Sequence, residues 1–257
     1  GERLLKILLH YAKGQWSLKP VIDKYPALSS LIPRWESISS STLHALLSNF
    51  FRALGLDYEA RLFRLYKQRN HPQFRQEINA LRTTIKGQLL SQAGDNPLYL
   101  NDSKIADEGF KASLLLNTLL AQQLWLFTGV HDHACFIMNL PLYDGERVRE
   151  ARIAVESARK GTKVDVAHCH IGVEVDTENL GTVGADVWLF EDQIHIKILC
   201  DNLPSGMWDE HDMTAAREQF ARIGLRLTSF QVCPYAGNKA FERFVRGEQG
   251  SGVDLQG

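Results

Sequence analysis

The sequence predicts an α+β protein, in which a helical N-terminal domain is followed by a small mixed or antiparallel sheet domain with one covering helix. Up to about residue 128, apolar residues recur at every third or fourth position, as on one face of a helix. From about residue 129, apolar and polar residues alternate, as in strands with one buried face. We therefore place the domains at 1–128 and 129–240. We expect 241–257, which is rich in Gly, Glu, Gln and Ser, to be a flexible tail.

Four helical segments are predicted in the first domain. The clearest has an apolar stripe of Leu43, Leu46, Leu47, Phe50, Phe51 and Leu54. Gly55 is placed to end that helix, and Asp57 to cap the next one. Pro72 predicts the first turn of a third helix that continues through Leu89, and residues 114–127 form the fourth. Three prolines between residues 16 and 35 predict short turns there instead of a long helix.

The second domain is predicted to be mainly strand. Alternation over 135–142, 151–155 and 164–175 indicates three strands. Residues 183–189 and 194–200 alternate on either side of Glu191 and Asp192, which predicts a hairpin. A helix with an inner stripe of Met213, Ala216, Phe220 and Ile223 should end at Gly224 and cover the sheet, before a last strand over 225–232.

Composition excludes several classes of partner. The chain has 257 residues, with 29 Lys and Arg against 30 Asp and Glu, so it carries no excess positive charge for nonspecific binding to nucleic acid. No apolar run approaches the length of a membrane span. The cysteines, Cys135, Cys169, Cys200 and Cys233, are far apart, and we expect reduced, half-buried thiols in the cytoplasm. The chain starts at Gly1 without a methionine, as a piece of a longer protein would.

Histidines on the polar face of the predicted sheet suggest a metal site. His168 and His170 share a strand face, as do His131 and His133 if their segment is extended. His195 could join His168 and His170 if its strand is their neighbour. The alternative is a solvated strand face that carries histidine without binding anything. We favour that alternative and predict no cofactor, because the sequence contains no dense ligand motif such as HExxH or paired CxxC.

Motifs for catalysis are absent from the sequence. There is no G-x-S-x-G turn, and Cys135 lies in an apolar stretch, where we expect a buried thiol. Acidic pairs such as Glu174 with Asp176 are of a kind found on most protein surfaces. Gly181 and Gly184 lead into a strand and not into a helix that could hold a phosphate. We therefore predict that the protein is not an enzyme.

Aromatic residues on the polar face of the hairpin indicate a protein-binding surface. Trp188 and Phe190 lie opposite the apolar residues of their strand, and His195 and Lys197 lie on the same face of the next strand. We predict that these four residues contact a protein partner. Packing against the N-terminal domain is the alternative for the two aromatic residues.

The second domain resembles the C-terminal domain of flagellar hook-length control proteins and their type III secretion relatives. The resemblance is carried by three segments and the helix that follows them: Ile171-Gly172-Val173-Glu174-Val175, Glu178-Asn179-Leu180-Gly181-Thr182-Val183, and the hairpin from Ala185 to Ile198, then the helix ending at Phe220-Ala221-Arg222-Ile223-Gly224-Leu225. Leu180 and Gly181 form the structural turn into the hairpin, with glycine allowing the chain to reverse. Residues 53–59 and the helix around Gln122 and Gln123 resemble the helical segment that precedes this domain in some bacterial members.

This resemblance implies a bacterial protein of the flagellar export system. Such a protein contacts the cytoplasmic domain of the export gate and switches export from hook-type to filament-type substrates. It implies a cytoplasmic protein that can itself pass through a type III apparatus. The proline- and glutamine-rich measuring segment of the family is not visible in residues 1–128.

Overall fold

A computed structural model describes residues 17–34, 40–70, 72–93, 108–125, 133–160, 163–202 and 210–247 of the chain. They form helices followed by a six-stranded mixed sheet, so the predicted α+β class is confirmed. None of the helices among these residues is long and apolar enough to cross a membrane. Two compact units are present. One comprises the described residues up to Leu124 together with Pro141–Val148, and the other comprises the remaining described residues. The predicted domain boundary at Gly129 lies outside the described residues.

The first unit is built from short helices around an apolar core. They are α1 (Lys19–Lys24), a 3-10 helix (Pro26–Leu31), α2 (Ser40–Leu54), α3 (Tyr58–Lys67), α4 (Phe74–Arg82), α5 (Ile85–Ala93) and α6 (Glu108–Trp125). Phe50, Leu54, Leu89 and Leu119 are fully buried at the centre of this core. The positions of α2, α3 and α6 and the short turns before α2 agree with the sequence predictions.

Two details of these helices differ from prediction. Asp57 does precede α3, but its side chain makes no capping hydrogen bond. The single helix predicted from Pro72 to Leu89 is two helices, because the chain breaks at Thr83 and Thr84. The Thr84 hydroxyl accepts a hydrogen bond of 3.1 Å from the Gly87 amide, and this cap starts α5 as a separate helix.

A buried lysine joins α3, α5 and α6. The Lys86 side chain is only 1% exposed and contacts the carboxylate of Glu59 and the amide oxygen of Gln123. Gln123 in turn donates to the Leu56 carbonyl at 2.5 Å and to Glu59 at 3.0 Å. Burial lowers the pKa of Lys86, and the charge and hydrogen bond of Glu59 oppose that shift. The helices of this unit are therefore held by a polar network as well as by apolar packing.

The sheet consists of β1 (His133–Tyr143), β2 (Val148–Lys160), β3 (Lys163–Thr177), β4 (Gly181–Phe190), β5 (Gln193–Cys200) and β6 (Arg226–Pro234). Its strands lie side by side in chain order. The predicted hairpin is confirmed as the antiparallel pair β4–β5, turned at Glu191 and Asp192. β6 pairs parallel to β5, after a crossover through helix α7 (Glu210–Arg222).

The predicted flexible tail is wrong where the structure describes it. Residues Lys239–Val245 form helix α8, in which Phe241, Phe244 and Val245 are at most 4% exposed. Space for α8 comes from two glycines in neighbouring strands. A Cβ atom on Gly172 would lie 2.7 Å from the Val245 side chain, and one on Gly184 would lie 2.6 Å from the Phe241 ring. The buried apolar side chains of α8 thus pack over these two glycines, on the polar face of the sheet.

The prediction of one covering helix is also wrong, because both α7 and α8 pack on the sheet. α7 contacts β6, with Met213, Ala216 and Phe220 half-buried. Ile223, which was predicted to belong to its inner stripe, is 66% exposed and lies just beyond the last residue of the helix, Arg222. Gly224 has the positive φ of +79° that ends such a helix.

Candidate functional site

Two large aromatic side chains are exposed near the end of β4. Trp188 is 53% exposed and Phe190 is 58% exposed. They lie on the same face of the strand because they are two residues apart. In the register of the sheet, Trp188 lies between His170 of β3 and His195 of β5, while Phe190 lies between His168 and Gln193. The sheet therefore presents aromatic and imidazole rings side by side.

The four residues predicted to contact a partner, Trp188, Phe190, His195 and Lys197, occupy this one face, and we call them the aromatic patch. His195 is exposed and lies within 3.3 Å of the Thr228 hydroxyl through both ring nitrogens. Lys197 is half-buried and lies opposite Asp186 of β4. The sequence prediction thus placed these residues together correctly, but it missed the residues that surround them.

One of those missed groups is a column of three parallel rings. The imidazole of His170 stacks on the indole of Trp188 at a centroid distance of 3.7 Å and on the Phe244 ring at 3.7 Å. His170 Nε2 lies 2.5 Å from a carboxylate oxygen of Asp186, so the ring is held in its plane as well as between two faces. The column connects the exposed patch to the buried side of α8.

His168 is held in a different way, next to Phe190. Its Nδ1 lies 2.9 Å from the carboxylate of Asp165, which is 8% exposed. Its ring meets the Phe190 ring edge-on, with centroids 4.7 Å apart. The Ser157 hydroxyl donates to the Asp165 carbonyl at 2.6 Å and fixes this end of β3 against β2. Both histidines thus have one nitrogen engaged with an aspartate.

His195 lies too far from His168 and His170 for the three imidazoles to bind one metal ion. β4 lies between β3 and β5, so His195 is two strand spacings, about 10 Å, from the strand of His168 and His170. Trp188 occupies the position between His170 and His195. Among the residues whose placement is described, no group of three or more His, Cys, Asp or Glu side chains could hold a metal ion. His131 and the side chain of His133 lie outside those residues.

A hollow of about 380 Å³ opens between the two aromatic residues and β2. The residues that line it include Trp188, Phe190, His168, His170 and Glu156. Glu156 lies directly opposite His170 in the pairing of β2 with β3. The strand order brings this carboxylate to the same face as the aromatic patch, although 32 residues separate it from Trp188 in the chain.

A second polar group lies under α8, beyond the column of rings. The Tyr235 hydroxyl donates a hydrogen bond to Glu174, whose carboxylate also lies 3.4 Å from the Arg152 guanidinium. Burial raises the pKa of Tyr235 well above its usual range, and the hydrogen bond to Glu174 raises it further. Tyr235 therefore remains a hydrogen-bond donor at any physiological pH, which suits a structural role.

The thiols have the character of core groups. All four cysteines are free, Cys200 is buried and the other three are half-buried. Burial raises the pKa of Cys135 to about 11, with a further contribution from the negative charge of Glu156. Burial also raises the pKa of Cys169, and the charge of Asp165 adds to the shift. Such groups are poor nucleophiles near neutral pH.

The turn into the hairpin requires glycine at its second position. Gly181 has a φ of +69°, and a Cβ there would lie 2.8 Å from the Asp201 side chain. The Asp201 carboxylate accepts a hydrogen bond of 2.9 Å from the Thr182 amide. Leu180 before it is half-buried, and its amide donates to the Thr177 hydroxyl at 3.1 Å. The turn supports the hairpin and lies at the opposite end of β4 from Trp188 and Phe190.

No protein-family model matches this chain, and no curated protein or solved structure gives a match.

Proposed function

We propose that this chain is a non-enzymatic protein-binding module that contacts its partner through the aromatic patch. The observation that carries the proposal is the exposure of more than half of both Trp188 and Phe190 on one sheet face. Large aromatic side chains are enriched at the energetic centres of protein interfaces, because they bury much area with few rotatable bonds. Stacking of His170 on Trp188 and of His168 edge-on to Phe190 holds both rings in place before binding.

The partner we propose is the cytoplasmic domain of the flagellar or type III export gate. This part of the proposal comes from the resemblance to hook-length control proteins, carried by 171–175, 178–183, the hairpin and the following helix. In this proposal the protein acts in the bacterial cytoplasm, can itself pass through the export apparatus, and switches the substrate class that the gate accepts.

The binding surface is tested with the double variant Trp188→Ser, Phe190→Ser. We expect it to lose binding to the purified gate domain from the same bacterium, measured by isothermal titration calorimetry. Stability should fall only by about 1–2 kcal/mol, the value of the ring contacts that are lost. The matched control is Phe63→Ser, Tyr66→Ser, which removes two side chains that are 61% and 68% exposed on α3. Unchanged binding by the patch variant would contradict the proposed surface, and a large loss of stability would show that the two rings belong to the core.

The cellular role is tested by removing the chain from its source bacterium and measuring hook lengths by electron microscopy. Overlong hooks without filaments are expected if the chain switches export. Hooks and filaments of normal length would refute the export role while leaving the binding surface to the calorimetric test.

A further inference from the structure

A second hollow, of about 650 Å³, lies within the helical unit of the chain. Its lining residues come from the 3-10 helix and from helices α1 to α5. The volume falls in the range of about 300–1,000 Å³ that small-molecule sites occupy. No residue of the aromatic patch is among the described lining residues, so the proposed contact surface does not account for this hollow.

The floor of the hollow is part of the apolar core. Leu28 and Ile85 are buried core residues, and Leu31 and Ala53 pack against the same core. We call these four residues the floor. All four are aliphatic, and Tyr25 is the one aromatic residue among the described lining residues. An aliphatic chain that covers the floor would remove apolar area from water, which favours its binding.

The exposed side of the hollow carries positive charge. Three of the described lining residues are cations, namely Lys24, Arg52 and Arg61, and none of the described lining residues is Asp or Glu. Arg52 is exposed, as are the neighbouring polar residues Asn49 and Thr83. A ligand that enters with its apolar part on the floor would therefore meet a cation with the part that remains near water, and an anionic group is favoured there.

Arg52 is the cation best able to hold such an anion. The Arg61 guanidinium is paired with Glu77 at 3.2 Å, and the Lys24 ammonium donates a hydrogen bond of 3.0 Å to the Gln92 side chain. Arg52 forms no ion pair with any other described residue. A single guanidinium donates two parallel hydrogen bonds to one carboxylate, so the unpaired Arg52 matches a carboxylate head group.

The position of Arg52 on α2 places it beside the floor. It directly precedes Ala53, a floor residue, and it follows Asn49 by three positions. Asn49 and Ala53 are one helical turn apart and both line the hollow, so this face of α2 borders it. The Arg52 guanidinium can thus pair with a head group at the exposed side while the attached chain lies on the floor.

We propose that this hollow is a binding site for a free fatty acid, whose aliphatic chain covers the floor and whose carboxylate pairs with Arg52. The floor selects the apolar chain, and the unpaired guanidinium selects the charge of the head group. The site goes beyond the proposed function, because its ligand is a small molecule and its residues belong to the helical unit.

The test titrates decanoate into the full chain and follows the methyl signals of Leu28 and Ile85 by nuclear magnetic resonance. Decyltrimethylammonium, which has a chain of the same length and the opposite charge, is the control ligand. We expect saturable shifts with decanoate, with a Kd on the order of 0.1 mM. The cationic ligand should bind more weakly by about fivefold or more, because its head group meets the charge of Arg52.

Three variants test the two parts of the site separately. Arg52→Gln removes the charge from an exposed position and should raise the Kd of decanoate by about fivefold or more. Arg75→Gln, which removes an exposed charge of α4 outside the hollow, should leave the Kd unchanged. Ala80→Trp fills part of the hollow from an exposed position on α4 and should weaken the binding of both ligands.

The inference is overturned if no saturable shift occurs, if both ligands bind equally well, or if Arg52→Gln or Ala80→Trp leaves the Kd of decanoate unchanged. Sedimentation of the chain with phosphatidylglycerol vesicles in the absence of decanoate binding would also overturn it, because the hollow would then serve an anionic membrane. The calorimetric test of the aromatic patch uses other residues and another ligand, so its result does not depend on this one.

Discussion

The imidazole of His170 lies parallel to the indole of Trp188, with their centroids 3.7 Å apart. The opposite face of the same imidazole is covered by Phe244, a residue of α8 that is 2% exposed. The exposed indole of Trp188 is therefore supported, through His170, by helix α8 near the C-terminal end of the described chain.

Replacing Phe244 by alanine should destabilise the sheet unit by about 3–5 kcal/mol, since it removes a buried ring that touches His170 and lies over Gly172. Urea unfolding gives the size of the loss, and hydrogen–deuterium exchange of β3 peptides shows that it arises in the sheet. Phe63→Ala is the control, because Phe63 is 61% exposed and its loss should cost less than about 0.5 kcal/mol. Equal stability of the two variants would mean that α8 is not part of the folded core.

The close approach of α8 to β3 makes Gly172 sensitive to a single methyl group. Gly172→Ala would place a Cβ 2.7 Å from Val245 and 2.9 Å from the Phe244 ring, so we expect a loss of about 1–3 kcal/mol. In a Phe244→Ala background the loss should become smaller, because the ring no longer occupies the space. Urea unfolding of the four proteins of this double-mutant cycle measures the coupling. Additive losses would show that Gly172 and Phe244 do not share that space.

Glu59→Gln should destabilise the helical unit by about 1–2 kcal/mol at neutral pH, because it removes the counter-charge of the buried Lys86. Burial acts to raise the pKa of Glu59, but the hydrogen bond and charge of Lys86 and the hydrogen bond from Gln123 lower it below its ordinary value of 4.5. A carboxyl whose pKa is lowered by folding stabilises the protein above its unfolded pKa, and this contribution is lost as the pH falls.

Thermal unfolding at a series of pH values checks this prediction. The difference between the native chain and Glu59→Gln should be constant above pH 4.5 and shrink below it. Glu146→Gln serves as the control for loss of an exposed carboxylate. A difference that persists at low pH would show that shape and not charge makes Glu59 important.

Alkylation of Cys135 should report on the charge of Glu156. Burial and then the Glu156 carboxylate raise the pKa of this thiol to about 11, so only a small fraction is thiolate at pH 8. Glu156→Gln should lower the pKa and speed the reaction with iodoacetamide by about two- to threefold. Peptide mass spectrometry measures the rate at Cys135 separately from the other three thiols. An unchanged rate would place the Glu156 charge too far from Cys135 to affect it.

The elements that the sequence predicts best are those with long periodic patterns. The alternation of β4 and β5 and the stripe of α2 each extend over enough residues to define both type and face. The break between α4 and α5 was missed because apolar spacing continues across it, while one Thr84 side chain decides where the second helix starts. Local hydrogen bonding thus overrides a pattern that is otherwise continuous.

α8 was missed because composition was averaged over too long a segment. Residues 240–257 are polar on average, yet Phe241, Phe244 and Val245 have the i, i+3, i+4 spacing of a helix face. That spacing was a readable signal. By contrast, the space that Gly172 and Gly184 leave for α8 depends on the register of β3 with β4, which no local sequence pattern predicts.

The aromatic patch was predictable because alternation within one hairpin fixes the faces of its residues. Two neighbours of the patch were not, because Glu156 reaches this face through strand order and Phe244 reaches it through helix packing. The same strand order separates His195 from His168 and His170, so knowledge of the sheet was needed to decide against a three-histidine site.

The six strands lie in the sheet in the same order as in the chain, which determines how the sheet responds to force. A pulling force applied to the chain before β1 acts first on β1, the edge strand, and then in turn on each strand that becomes the new edge. Strands β1 to β4 would then peel from their neighbours one at a time, and no step would require a central strand to be sheared out. Traction from the other end would first detach α8 and remove the support of His170, so the aromatic patch would lose its shape before the antiparallel strands yield.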